Sequence, residues 1–67
     1  MEIKITTTYI TLAQLLKITD MVQSGGEAKL AVKSLLIKVN NELENRRGKK
    51  LYVDDVIEIE KQKFVIK

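Results

Sequence analysis

The amino-acid sequence predicts a small α+β domain. Two Ser/Thr-headed capping boxes, Thr11-Leu-Ala-Gln14 and Ser24-Gly-Gly-Glu27, each precede apolar residues at helical spacing. Before the first box and after the second, the apolar residues alternate with polar ones, as in half-buried strands. The chain has 67 residues and no proline, internal repeat or low-complexity linker, so one domain over residues 1–67 is expected. At that size only about 60% of the unfolded surface is buried and stability is modest.

Residues 2–6 alternate polar and apolar and read as a short strand, with Ile3 and Ile5 toward the core. The Thr11 hydroxyl can accept from the amide of Gln14, and Gln14 can reach back to the Thr11 amide. Leu12, Leu15 and Leu16 follow, giving a helix over about 12–18 with Lys17 off its apolar face. Ser24 caps a second helix over about 25–35. Its buried stripe is Ala28, Ala31, Val32 and Leu35, and Lys29 and Lys33 share another face. The period then changes. Ile37 and Val39 flank Lys38, and Asn40-Asn41 suits a two-residue hairpin turn because Asn tolerates positive φ. Leu43 begins the return strand. Leu51, Val53, Val56, Ile57 and Ile59 keep strand spacing around a turn at Asp54-Asp55. Phe64-Val65-Ile66 forms a last strand that can pair with the first.

Composition narrows the chemistry. Histidine and cysteine are both absent, which removes the commonest general base, the commonest metal ligands and any disulfide. Ser24 is accounted for as a cap, and neither it nor Ser34 has a histidine to activate it. Asp54 and Asp55 are adjacent and serve a turn better than shared acid–base work. No enzyme, cofactor or small-molecule substrate is expected. No segment approaches the roughly 20 apolar residues of a membrane span, so a cytoplasmic location is expected. With one Phe, two Tyr and no Trp, the core must be aliphatic and base stacking is poorly provided for. Tyr9 and Tyr52 are expected to belong to the domain's own packing.

Charge supplies the functional lead. Arg46, Arg47, Lys49 and Lys50 surround Gly48 in a loop between two strand-like segments. Fixed cations on a compact scaffold suit a polyanion, although the run alone fits a solvated loop equally well. Residues 29–50 hold seven cations and two anions, a net +5, while the remaining residues are net −2. This segregation is what a nucleic-acid binder needs. The Ser24-Gly-Gly segment also opens a helix whose first amides lack intrahelical partners and can hold a phosphate, with Lys29 one turn in. On that segment alone, glycines that merely shape the turn are the somewhat simpler reading.

The ordered set of Thr11-Leu-Ala-Gln-Leu-Leu-Lys17, Ser24-Gly-Gly-Glu-Ala-Lys29, Val39-Asn40 and Asp55-Val-Ile-Glu-Ile59 resembles the αL RNA-binding motif, or S4-type domain, over about residues 10–59. The Arg-Arg-Gly-Lys-Lys-Leu loop makes it most similar to the small stand-alone bacterial members. The resemblance implies two packed helices against a small, mostly antiparallel sheet. It implies binding to structured RNA, commonly ribosomal RNA or a ribosomal particle, and a part in ribosome assembly or translation. The contacts it implies are Gln14 and Lys17 on the first helix, then Ser24, Gly25, Gly26, Lys29 and Lys33 at the second. The loop adds Arg46, Arg47, Lys49 and Lys50. Asn40-Asn41 and Asp54-Asp55 depart from the family's usual Asn-Gly and Gly-Asp. Leu35 stands where many relatives end the second helix with glycine.

Two other functions compete with RNA binding. A protein-interaction adaptor would dock the basic loop on an acidic partner, with Tyr9 and Tyr52 as its only plausible anchors. Duplex DNA binding ranks third, because the Lys29/Lys33 face lacks the side chains that usually read bases.

Overall fold

The computed structural model describes residues Met1–Lys67. The element order is β1 (Glu2–Ile3), β2 (Tyr9–Thr11), α1 (Leu12–Ile18), α2 (Gly25–Ser34), β3 (Ile37–Val39), β4 (Glu42–Leu43), β5 (Lys50–Tyr52), β6 (Val56–Ile59) and β7 (Gln62–Ile66). Five strands form one sheet in the order β1-β7-β6-β3-β4, and β2 pairs with β5 in a separate antiparallel ladder. Every pairing is antiparallel except β1 with β7. The expected α+β architecture of two helices and a mostly antiparallel sheet is what the chain adopts.

Burial follows the two periods read from the sequence. Ile37, Val39, Ile57, Ile59, Phe64 and Ile66 bury one face of the sheet, and Leu12, Leu15, Leu16, Ala28 and Val32 bury the facing stripe of the helices. Together with Ile3, Ile10, Val22 and Leu51 they make one core of 15 residues. Ile5, Ala31 and Leu35 pack around its margin. No helix is long and apolar enough to cross a membrane.

The first strand is shorter than expected, ending at Ile3. The chain then bends through Thr6–Thr8, and Ile5 keeps contact by donating its amide to the Lys67 carbonyl at 3.1 Å. Helix α1 carries its full capping box. It ends in a Schellman arrangement, with Met21 N–H on the Leu16 carbonyl, Asp20 N–H on Lys17 and Asp20 at φ 61°. Helix α2 keeps the Ser24 cap, but its box is only half formed. The Glu27 carboxylate accepts from the Gln23 amide at 3.4 Å rather than from Ser24. Without a glycine, α2 stops at Ser34, and Leu35 turns directly into extended backbone at φ −88°, ψ 148°.

Three turns use left-handed residues other than glycine. Asn40 and Asn41 (φ 51° and 70°) make the expected hairpin turn, and Asp54 (φ 76°) the expected second turn. The Asp55 carboxylate ties the two together. It accepts from the Tyr52 amide at 2.8 Å and from the Asn40 side-chain amide at 3.1 Å. The third turn, Glu60-Lys61, joins β6 to β7 at φ 48° and 76°. Neither residue favours that region. A carbonyl clash with Cβ costs roughly 1–2 kcal/mol per residue there, some of which a glycine's extra freedom in the unfolded chain gives back. Lys61→Gly is therefore expected to raise the free energy of unfolding by about 1 kcal/mol. Urea denaturation checks this; an unchanged or lower midpoint would mean that the turn is not strained.

Candidate nucleic-acid interface

The basic loop is fastened by its backbone, which leaves its side chains outward. The first amides of a helix lack intrahelical acceptors. In α1 all are satisfied: Thr11 N–H by Gln14 Oε1 at 2.7 Å, Leu12 N–H by the Lys49 carbonyl at 2.9 Å, Ala13 N–H by the Arg47 carbonyl at 2.9 Å, and Gln14 N–H by Thr11 Oγ1 at 3.2 Å. Two of those acceptors belong to the loop. The β2–β5 ladder, with Thr11 opposite Lys50 and Ile10 opposite Leu51, continues the attachment. Leu51 is fully buried and anchors the loop's far end.

The start of α2 is different. Glu27 N–H is taken by Ser24 Oγ at 3.3 Å, while the amides of Gly25 and Gly26 make no hydrogen bond within the chain. Neither glycine has positive φ. A Cβ at Gly25 would meet nothing within 4 Å, and one at Gly26 only Ser24 Oγ at an ordinary 3.8 Å. The fold thus needs glycine at neither position, and the reading that these residues merely shape a turn loses its support. From the loop, Arg47 Nη1 donates to the Gly25 carbonyl at 3.1 Å, which brings loop and helix start onto one surface. Lys29 and Lys33 are exposed on α2, about 6 and 12 Å along the axis from Gly25.

Arg46 is held back from that surface. Its guanidinium grips Glu44 through Nε at 2.9 Å and Nη2 at 3.2 Å, and its backbone amide donates to the same carboxylate at 3.1 Å. The Arg46 side chain is 71% exposed and that of Glu44 only 9%. The Arg46 hydrogen bond lowers the Glu44 carboxyl below its usual range against the opposing effect of burial, and Glu44 in turn raises the Arg46 guanidinium.

The β2–β5 ladder adds a feature that the sequence does not reveal: the two tyrosines expected to serve the domain's own packing pack on each other at the surface. Tyr9 and Tyr52 face each other across the strands with ring centroids 5.7 Å apart and planes at 49°. They are not interior packing: Tyr9 is 37% and Tyr52 45% exposed. Ile10 and Leu51 take the inward positions, so period-2 alternation turns both tyrosines outward. Lys50 Nζ sits 5.0 Å from the centroid of the Tyr9 ring. A surface groove on one side of the pair is lined by Tyr52, Arg46, Gly48, Lys49 and Lys50. Another, on the α1 side, is lined by Tyr9, Thr11, Gln14 and Lys17 among others.

The residues singled out from the sequence therefore lie in three groups. Arg47 meets Gly25 beside Ser24 and Gly26. Arg46, Lys49 and Lys50 share the loop groove, and Gln14 and Lys17 share the α1 groove. Lys29 and Lys33 extend from the first group along α2, with no hydrogen bond or ion pair to the loop. Sequence reasoning missed Glu44 as the partner of Arg46, although the two lie only two residues apart.

A family model described as the S4 domain matches residues 3–67. The chain belongs to the S4 domain family. Among curated proteins, this S4 domain is similar to the "Probable ribosome maturation protein RlbA" of Bacillus subtilis (strain 168). The two are 55% identical over 58 residues, which covers 87% of this chain and 82% of the relative.

The ion pair of this S4 domain has a defined pH signature. Glu44 is depressed in the folded state, so its stabilising contribution is present above the unfolded-state value and is lost as pH falls through the folded one. Glu44→Gln is expected to lower the melting temperature slightly at pH 7. The gap to the parent should close on acidification below the ordinary carboxylate range. Thermal melts of both proteins across pH 2–7 check this, and a gap independent of pH would exclude the ion pair as its source.

Proposed function

We propose that this S4 domain is a non-catalytic, cytoplasmic module that binds structured RNA, namely ribosomal RNA or a ribosomal particle, during ribosome maturation. The observation that carries the reading is the start of α2. Two unpaired glycine amides lie at the positive end of a helix, beside an arginine fixed on the Gly25 carbonyl. A phosphate fits that chemistry. Gly25 and Gly26 allow a backbone approach that any side chain would obstruct, and no demand of the fold accounts for them.

The other cations extend the grip. Lys29 and Lys33 continue it along α2, while Lys49 and Lys50 continue it along the loop. Arg47 can engage a phosphate with two parallel hydrogen bonds, which lysine cannot. Recognition by phosphate geometry suits duplex RNA, whose base edges lie in a deep, narrow groove. The name of the Bacillus subtilis relative supports the link to ribosome maturation.

Neutralising four or five phosphates gives a log–log dependence of affinity on salt with slope roughly −3 to −5. A slope near zero would refute the proposal. Arg47→Glu is expected to weaken binding at least tenfold in a protein that still melts cooperatively.

The glycine pair gives a sharper test, because fold and function pull apart there. Alanine has the higher helix propensity by up to about 1 kcal/mol, so Gly26→Ala should hold or raise stability. The same substitution should weaken RNA binding by obstructing the approach to the amides. Chemical denaturation and a filter-binding titration of one preparation measure both. Unimpaired binding would remove the α2 start from the site.

A further inference from the structure

We infer that Tyr52, backed by Tyr9 and Lys50, is a stacking platform for an unpaired nucleobase, so that the RNA taken by this domain is a duplex with an adjoining bulge or single-stranded end. The inference rests on the RNA-binding proposal and adds the ligand's secondary structure to it.

The argument starts from the strand ladder. Tyr9 and Tyr52 are directly opposed, and both point away from the core. A cross-strand aromatic pair braces itself, which fixes the orientation of each ring. One ring already has company, since Lys50 Nζ lies over Tyr9 at 5.0 Å. Tyr52 is the more exposed ring at 45%, and it lines the groove whose other walls are Arg46, Gly48, Lys49 and Lys50. On its other side Tyr52 lines a groove with Glu42, Glu44 and Asp55 as well as Arg46, Lys49 and Lys50. The cations thus face a ring that is exposed and bordered by charge rather than buried by the protein's own packing. Such a ring is a good place for a base, whose π-face stacks on it while the phosphates on either side meet the cations. A fully paired helix cannot offer such a face, because its bases are already stacked on one another.

The rings also report on themselves. The chain has no Trp and only two Tyr, so its intrinsic fluorescence comes from these residues alone. The test uses two hairpin RNAs of equal length, each closed by a non-nucleotide linker so that no loop base is unpaired, at low salt, where phosphate contacts suffice for binding. One stem is fully paired, and the other carries a single bulged 2-aminopurine. The bulged RNA is expected to bind roughly 5- to 150-fold more tightly, the range set by one base stacked on an aromatic side chain. It should quench both the tyrosine and the 2-aminopurine emission, while the paired RNA leaves the tyrosine emission largely unchanged. Tyr52→Leu should abolish the preference and leave affinity for the paired hairpin within about twofold, because cations alone hold that RNA. Tyr52→Phe should keep the preference.

Equal affinity of the parent protein for both hairpins, or a preference that survives Tyr52→Leu, overturns the platform and leaves RNA binding intact. Failure to bind either hairpin at low salt overturns the RNA-binding proposal and the platform with it. The quenching experiment uses the unaltered protein and stands whether or not the leucine variant folds.

Discussion

The arrangement depends on two hydrogen bonds, from the amides of Leu12 and Ala13 to the carbonyls of Lys49 and Arg47. A helix start needs acceptors, and a solvent-exposed basic loop has carbonyls to offer. Joining the two closes the N-terminus of α1 and gives the loop one conformation. Four cations, Arg46, Arg47, Lys49 and Lys50, that would otherwise repel one another in solution are thereby held as a display. The second helix start is left open, and Arg47 bridges to it at Gly25. The two helix termini thus have opposite roles: one fastens the cations and the other keeps free amides beside them.

The cations of the loop are not equivalent, although a charge count treats them so. Arg46 is engaged with Glu44, Lys50 lies over a tyrosine ring, and Arg47 spends one donor on a backbone carbonyl. Each contact fixes a direction for the side chain while leaving donors available. Orienting a flexible cation before it meets its ligand reduces the conformational freedom lost on binding. The carboxylate of Glu44 also offsets the charge of Arg46, so the unpaired cations of the loop are Arg47, Lys49 and Lys50.

Local signals in the sequence carried most of the fold. Both helices, the Asn40-Asn41 hairpin and the Asp54-Asp55 turn follow from capping residues, apolar spacing and residues that accept positive φ. The features that escaped are those without a local signature. Three residues, Tyr9–Thr11, are too few to show a period, and only their pairing with a segment some forty residues on makes them a strand. Without that strand, the outward facing of the tyrosines is not legible either. Glu60-Lys61 turns left-handed because the β6–β7 register demands it, against the preference of both residues. At the site, Gly25 and Gly26 were ambiguous because the sequence does not reveal φ; their unstrained backbone and open surroundings remove the structural explanation. The S4-type resemblance rested on an ordered set of landmarks, and the family match spans residues 3–67.

The strand order of the larger sheet bears on how the domain behaves in company. Val56–Ile59 and Gln62–Ile66 are its most β-prone segments, rich in Val, Ile and Phe, and they occupy interior positions. The edges fall to β1 and β4, each only two residues long and each carrying a glutamate. A neighbouring chain seeking to extend the sheet finds almost no exposed backbone to pair with, and meets a negative charge where it tries. A small protein with an aliphatic core is thereby guarded against self-association through its sheet, without help from proline or disulfides.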